Sequence, residues 1–367
     1  MSKRVIISGG GTGGHIFPAI AIGQALQRAN PDIALLYVGA KGRMEMVKVP
    51  EAGYKIKGLW ISGFQRSLRI ANLLFPLKLV VALIQSFFVI KSFKPDVVIG
   101  VGGYASGPLL KVANWLGIPS VIQEQNSLPG VTNRILATKA KKICVVFEGM
   151  DKYFPSDKIV LTGNPVRASI MNPLPPKKEA LAYFSIHNDR PVLLVTGGSL
   201  GAKAINQCIK NNLDFFAQND INLIWQTGAV YYEECRTIGE LPNGSIKIMP
   251  FIKEMDMAYA AADIIISRAG GTIAELAIVG KPAILLPSPN VAEDHQAHNA
   301  MALVNKNAAI MIRDSEAEQK LFPTLSNLLA DREKQKELGE NIKKMAIVNA
   351  ADRIANVVLN VVNEASV

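Results

Sequence analysis

Cysteine is scarce in this chain. Only Cys144, Cys208 and Cys235 occur in 367 residues, widely spaced and with no Cys-x-x-Cys pair. That excludes a disulfide scaffold and a zinc ribbon, and it predicts reduced thiols. Aromatic residues make up 7%, and no zinc finger, RNP motif or basic helical array accompanies them, so nucleic acid is not expected as a partner. No Asp-x-Asp pair exists anywhere. This removes the carboxylate pair with which many sugar-nucleotide enzymes hold a metal on a diphosphate. Charged residues are limited to 19% against 49% hydrophobic, which excludes a disordered or coiled-coil chain and leaves ample material for packed cores.

The charge that is present is unbalanced, at +10. Such a surplus favours an anionic partner, whether nucleic acid, an acidic membrane surface or a phosphorylated substrate, and charge alone does not choose among them. The opening Met-Ser-Lys-Arg runs directly into Val5-Ile6-Ile7. This has no room for a leader peptide, so a cytoplasmic location is expected.

At roughly 150 residues per domain the length predicts two domains. Short β-branched runs alternate with longer helical patterns. Val5–Ser8, Ala34–Val38, Asp96–Gly100, Ser120–Gln123 and Lys142–Val146 read as strands. Helices are predicted near Ile16–Ala29, Ile70–Lys91, Gly107–Leu116 and Gly130–Lys139. The pattern restarts with strand Pro191–Thr196, a glycine turn and a helix near Ala202–Ala217. Strands at Asn222–Gln226, Ile246–Met249, Asp263–Ser267 and Pro282–Pro287 follow. Two α/β halves with parallel sheets are implied. The seam is placed near Asn164-Pro165-Val166-Arg167, ahead of the proline-rich Pro173–Pro176. The closing helix, about Asp352–Val362, fits either half.

Each half opens with a strand, a glycine loop and a helix. Gly9, Gly11 and Gly14 satisfy Gly-x-Gly-x-x-Gly, and a helix N-terminus behind such a loop offers amides to an anion. A dinucleotide fold places a carboxylate at the end of the second strand. Here that strand ends Val38-Gly39-Ala40-Lys41 with no carboxylate in it, although Lys41 and Arg43 would suit NADP. His15 follows the glycines. It reads either as a helix-terminal cap or as a general base, kept unprotonated by the helix N-terminus. Ser199, in Gly197–Ala202, is a phosphate donor or part of a tight turn. A third glycine-rich turn, Gly100–Gly107, carries Tyr104 and Ser106 and also follows a strand, a position that suggests one wall of a cleft between the domains.

In Ser267–Glu275, Gly270 and Gly271 open a further helix. Glu275, one turn in, either accepts two ribose hydroxyls or simply faces solvent near the helix dipole. Glu293, Asp294, His295 and His298 lie close in sequence; a metal site is the sharper reading, and a polar helix start is the one preferred. Leu68–Phe93 is the most apolar stretch. Pro76 and Lys78 interrupt it, and Arg69, Lys91 and Lys94 flank it. A transmembrane span, a buried crossover helix, and a helix offering an apolar, lysine-bearing patch to a membrane surface are all considered. The excess apolar width favours the last.

Seven blocks in order give these readings a common source: Gly9–His15, Gly102–Pro108, Glu124-Gln125-Asn126, Gly163–Arg167, Gly197–Ala202, Ser267–Glu275, and Gln296 with Asn299-Ala300. Across essentially its full length the chain resembles the MurG family. These bacterial transferases add N-acetylglucosamine to lipid I, the lipid-linked muramyl-pentapeptide, and so make lipid II for peptidoglycan. The resemblance implies a glycosyltransferase-B fold, with two Rossmann-like domains whose parallel sheets face a cleft. An acceptor- and membrane-facing domain would span residues 1–163, completed by a helix at about 346–367, and a donor domain would span 164–345. It implies UDP-N-acetylglucosamine and lipid I as substrates, no cofactor and no metal, and a peripheral position on the anionic cytoplasmic membrane surface through Leu68–Phe93. Thr12, Gly13 and Gly14 would lie beside the diphosphate and transferred sugar, and Asn126 would bind that sugar. Arg167 and Ser199 would hold phosphates, and Ile252 would meet uracil through its backbone. Gly271, Thr272 and Glu275 would take phosphate and ribose, and Gln296 would complete the sugar site.

Two departures matter. Gln123 stands where the family often has His before Glu-Gln-Asn, which leaves His15 as the first candidate for the base and Glu124 as the second. The Ser267–Glu275 block is one residue short, which blurs the phosphate contact around Gly270 to Thr272. The expected reaction is an inverting displacement at the anomeric carbon. The alternatives are a diacylglycerol glycosyltransferase of the same fold and an isomerase of the UDP-N-acetylglucosamine 2-epimerase type.

Overall fold

Runs such as Val5-Ile6-Ile7 and Val97-Val98-Ile99 carry apolar residues at every position, which suits strands covered on both faces rather than one. In the computed structural model, which describes residues 2–63, 74–237 and 246–365, these runs are the central strands of parallel sheets. The chain divides into two compact units, Met1–Val166 with Asn349–Val367, and Arg167–Val348.

The first unit contains β1 (Arg4–Gly9), β2 (Ala34–Ala40), β3 (Ile56–Leu59), β4 (Val97–Gly102), β5 (Ser120–Glu124), β6 (Lys142–Val145) and β7 (Ile159–Leu161). Their order is β3-β2-β1-β4-β5-β6-β7, parallel throughout. The second unit contains β8 (Val192–Thr196), β9 (Asn222–Gln226), β10 (Ile246–Met249), β11 (Ile264–Ser267), β12 (Ala283–Leu285) and β13 (Ile310–Met311). Their order is β10-β9-β8-β11-β12-β13, again parallel. In each sheet the direction of winding reverses beside the first strand, between β1 and β4 and between β8 and β11. Ligands of such sheets bind where that reversal opens a crevice at the carboxyl ends of the strands. The four glycine loops read from the sequence follow these same four strands.

Strands β3, β7 and β13 have no counterpart in the sequence reading. They are two to four residues long and partly exposed at the sheet edges, too short to show a period. The helix expected over Ala202–Ala217 is two, Lys203–Lys210 and Leu213–Gln218, broken at Asn211-Asn212. Asn212 turns its side-chain amide back onto the Cys208 carbonyl at 2.9 Å, a local bond that competes with helix continuation.

The helix Ala350–Glu364 packs on Gly13–Ala29 in the first unit, where Ile354, Val358 and Val362 join Val5, Ile16, Ile22 and Leu26 in one core. In the second unit Trp225 is fully buried, and its indole N–H donates to Asn206 Oδ1 at 3.0 Å while Asn206 Nδ2 donates to the Thr227 carbonyl at 2.8 Å.

Of the apolar stretch, residues 68–73 lie outside the described residues. The remainder forms a helix, Phe75–Phe93, long and apolar enough by length and composition to cross a membrane. It turns Ala82, Ser86 and Ile90 inward and leaves Leu77, Val80, Ile84 and Phe88 exposed. A face this apolar and this open is not the buried crossover helix considered above.

Two outcomes follow from this packing. Ile354→Ala is expected to lower the unfolding free energy by about 2–4 kcal/mol in urea titration, the usual range for emptying a filled aliphatic site. All three thiols are buried, and burial pushes Cys144 up to about 12 and Cys208 up to about 11. Native protein at pH 8 is therefore expected to resist iodoacetamide, with labelling appearing only as the fold is lost.

Candidate active site

In the first unit, β1 delivers the chain into Gly10–Thr12, and Thr12 stands at the N-cap of the helix that Gly13 and Gly14 open. Gly10 N donates to Gly102 O at 3.3 Å, which ties this loop to the turn after β4. That turn can lie so close only because Gly102 and Gly103 have φ of +103° and +91° and no side chain. A Cβ on Gly102 would sit 2.5 Å from His15 Cδ2, and one on Gly103 2.4 Å from Gly10 O. His15 is thus wedged against the second glycine turn. Its Nδ1 lies 3.0 Å from Gly10 O and 3.3 Å from Thr12 Oγ1. A carbonyl only accepts, so Nδ1 carries the proton of the first bond, and the neutral ring then has its lone pair on Nε2.

Sequence reasoning found no carboxylate at the end of β2. One is supplied five residues later: Glu45, at the start of the helix Glu45–Glu51, folds back and is fully buried. Its two oxygens accept from Gly11 N at 2.9 Å and Ala40 N at 3.0 Å. The Gly11 amide therefore already holds a protein carboxylate, which leaves the dinucleotide reading of this loop without that donor.

Glu124 is also buried, and it is saturated. Oε1 accepts from the backbone and side-chain nitrogens of Asn126 at 3.0 and 3.1 Å, and Oε2 accepts from Gly130 N and Asn133 Nδ2 at 3.1 and 2.8 Å. Burial pushes its carboxyl above the ordinary range while these four bonds pull it back. The arrangement folds the loop 124–133 and orients Asn126. Its four acceptor positions are engaged in these bonds, so the geometry favours His15 over Glu124 as the general base.

In the second unit the loop after β8 is bound to the end of β9. Gly201 has φ +77°, and a Cβ there would meet the Thr227 carbonyl at 1.9 Å. Gln226, buried at the end of β9, donates Nε2 to Thr196 Oγ1 and Gly198 O at 3.1 and 2.9 Å and accepts Ile252 N at 2.8 Å. Ile252 therefore keeps its carbonyl, not its amide, for a ligand's donor. Ser199 stands exposed on the loop.

Arg167 and Glu275 come together as an ion pair, Nε to Oε1 at 2.9 Å. The other oxygen accepts from Tyr259 OH at 2.8 Å, and burial together with the carboxylate pushes that phenol well above its usual range. Tyr259 and Gln226 were absent from the sequence reading, because a tyrosine inside an apolar helix and a glutamine ending an apolar strand look like core. Gly271 and Thr272 begin the helix that carries Glu275. Gln296 accepts Ser288 N at 2.9 Å, and its Nε2 lies 3.7 Å from where a Gly270 Cβ would be, so it overhangs the same loop. Glu293 and Asp294, just before it, have φ of +54° and +51° and turn the chain sharply. No three of the His, Cys, Asp and Glu side chains gather as a metal site among the described residues.

The chain matches the glycosyltransferase family 28 N-terminal domain over residues 5–145 and the C-terminal domain of that family over 192–354. It is 52% identical to the UDP-N-acetylglucosamine–N-acetylmuramyl-(pentapeptide) pyrophosphoryl-undecaprenol N-acetylglucosamine transferase of Bacteroides thetaiotaomicron, with 97% of each chain covered. It is 49% identical to the protein of the same description from Flavobacterium psychrophilum, with 98% of each covered. Among solved structures it is similar to MurG of Acinetobacter baumannii, at 30% identity and a TM-score of 0.78, covering 98% of this chain and 99% of that one.

Tyr259→Phe leaves Glu275 Oε2 without its buried donor. An equilibrium unfolding experiment is expected to show a loss of about 1–2 kcal/mol.

Proposed function

The chain belongs to glycosyltransferase family 28 and, within it, to the UDP-N-acetylglucosamine–N-acetylmuramyl-(pentapeptide) pyrophosphoryl-undecaprenol N-acetylglucosamine transferases, and on that premise we propose how its residues carry out the reaction. The chain is a hexosyltransferase that moves N-acetylglucosamine from UDP-N-acetylglucosamine to the muramyl sugar of lipid I and forms lipid II. Relatives half identical over the full length favour this over diacylglycerol as acceptor and over donor epimerisation.

The observation that carries the mechanistic reading is the convergence, at the carboxyl ends of β8 to β11, of an amide-rich loop, a peptide carbonyl and a carboxylate braced by arginine. That set fits a nucleoside diphosphate. The Ile252 carbonyl takes the uracil N–H. Glu275, with one oxygen on Arg167 and the other on Tyr259, keeps lone pairs for the ribose hydroxyls. Ser199, the Gly198–Gly201 loop, Gly271, Thr272 and Arg167 face the diphosphate. Helix N-termini and loop amides, fixed before the reaction, stabilise the charge that grows on departing UDP. Gln296 and Asn126 read the transferred sugar, with Thr12, Gly13 and Gly14 beside it.

His15 acts as the base. Nε2 removes the proton of the muramyl 4-hydroxyl as that oxygen attacks the anomeric carbon, the bond to UDP breaks, and the configuration inverts. The exposed Leu77, Val80, Ile84 and Phe88, with Lys78, Lys91 and Lys94 on the same helix and its C-cap, suit an interfacial helix lying on an anionic cytoplasmic membrane surface.

The test is UDP release on mixing with UDP-N-acetylglucosamine and a lipid I analogue, with diacylglycerol or no acceptor in parallel. Release is expected with the first alone, and an epimerised donor without acceptor would overturn the reading. His15→Ala is expected to lower kcat by roughly 10²–10⁴, the usual weight of a general base, with UDP-N-acetylglucosamine affinity by calorimetry changed less than about twofold. Near-normal turnover would remove His15 from the role.

A further inference from the structure

Glu45 takes no part in the scheme above, yet it is 1% exposed and no ion pair involves it among the described residues. Burying an uncompensated carboxylate is costly, and the two amides it accepts from are its visible compensation. One of them is informative. The Gly11 N–H, at 2.9 Å from Glu45 Oε2, belongs to the same peptide group as the Gly10 carbonyl, at 3.0 Å from His15 Nδ1. Carboxylate, peptide and imidazole therefore form one chain of hydrogen bonds.

A peptide group is a single conjugated unit. Pulling on its N–H increases the negative charge on its oxygen, and bonds in such a chain strengthen one another. The carboxylate thus makes Gly10 O a better acceptor for Nδ1–H. It also opposes the field of the helix N-terminus, which disfavours a charged ring at His15. The fit leaves no tolerance at Gly10, where a Cβ would lie 2.2 Å from Glu45 Oε1. The second oxygen, on Ala40 N at 3.0 Å, anchors the carboxylate to the end of β2.

We propose that Glu45 is a positioning residue of the transfer reaction, fixing His15 in its Nδ1-protonated tautomer and stabilising the imidazolium through the Gly10–Gly11 peptide. This rests on the reading of His15 as base. In the step itself the acceptor proton passes to Nε2, while Nδ1–H stays on Gly10 O and Glu45 keeps its bond to Gly11 N. The logic is that of a carboxylate orienting a catalytic histidine, with a peptide inserted between them.

The test uses Glu45→Gln in the full-length protein, whose amide must turn an NH₂ toward one of the two backbone N–H groups. Nitrogen-15 NMR of the His15 imidazole, without substrate, is expected to show a smaller Nδ1–H fraction and a titration moved to lower pH. In the assay kcat is expected to fall about tenfold, within the weight of a general base, with the KM for UDP-N-acetylglucosamine little changed. In a His15→Ala background the same substitution is expected to add no further loss. An unchanged tautomer and titration would overturn the proposal, as would an equal loss in the His15→Ala background. Should His15→Ala alone turn over normally, the base reading fails while the NMR result still decides whether Glu45 sets the tautomer. Glu45→Asp covers the case in which the glutamine variant does not fold. It keeps the charge but withdraws it one methylene from Gly11 N, and an intermediate Nδ1–H fraction is expected; a wild-type fraction would count against the proposal.

Discussion

A strand buried on both faces must end, and where it ends its last amides lose their ladder partners. Every such amide in a dry interior needs an acceptor, and at the central strands of this chain the two units meet that need differently. After β1 the acceptor is a buried carboxylate, Glu45, reaching Gly11 and Ala40. After β8 no carboxylate among the described residues takes that place. Gln226 and Thr196 hold the loop through Gly198, and the charged groups Arg167 and Glu275 stand at the next strand. A loop already holding an internal anion is poorly placed to take a second one, whereas a loop braced by neutral groups is open to a diphosphate. That difference supports the proposed assignment of the donor diphosphate to the second unit.

The glycines around both loops serve close approach rather than flexibility. Gly102 and Gly103 let one turn lie on another with His15 between them, and Gly201 and Gly228 do the same beside the second loop, where a Cβ on Gly228 would meet Gly201 N at 2.4 Å. Rigid loops of this kind suit a reaction in which stabilisation of the leaving group depends on dipoles fixed in advance.

Much of this was legible in the sequence, because parallel strands buried on both faces announce themselves as unbroken runs such as Val192-Leu193-Leu194-Val195. Glycine loops between such runs and helices mark where ligands are met. Arg167 and Glu275 were each singled out, although 108 positions separate them and no local pattern could say that they pair. Glu45 escaped because its function depends on folding back across five residues onto a strand end, and from sequence it is one more polar residue opening a helix. Glu124 is the complementary case. A carboxylate in a signature block suggests chemistry, and only the fold shows that four hydrogen bonds tie it to its own loop. Tyr259 and Gln226 look apolar by context, and their polar ends matter only once β9 and β11 lie in register with β8.

The helix Ala350–Glu364 closes the core of the unit whose first strand begins at Arg4. On the ribosome the second unit lies wholly between those two pieces, so its residues have all been made before the first unit can bury Ile16, Ile22 and Leu26 fully. Domains generally fold as units in the order of synthesis, but here the order is nested. The unit holding His15 waits with an unfinished core while the other is completed, and a nascent chain stopped short of residue 350 would carry that unfinished face into the cell, exposed to chaperones and proteases.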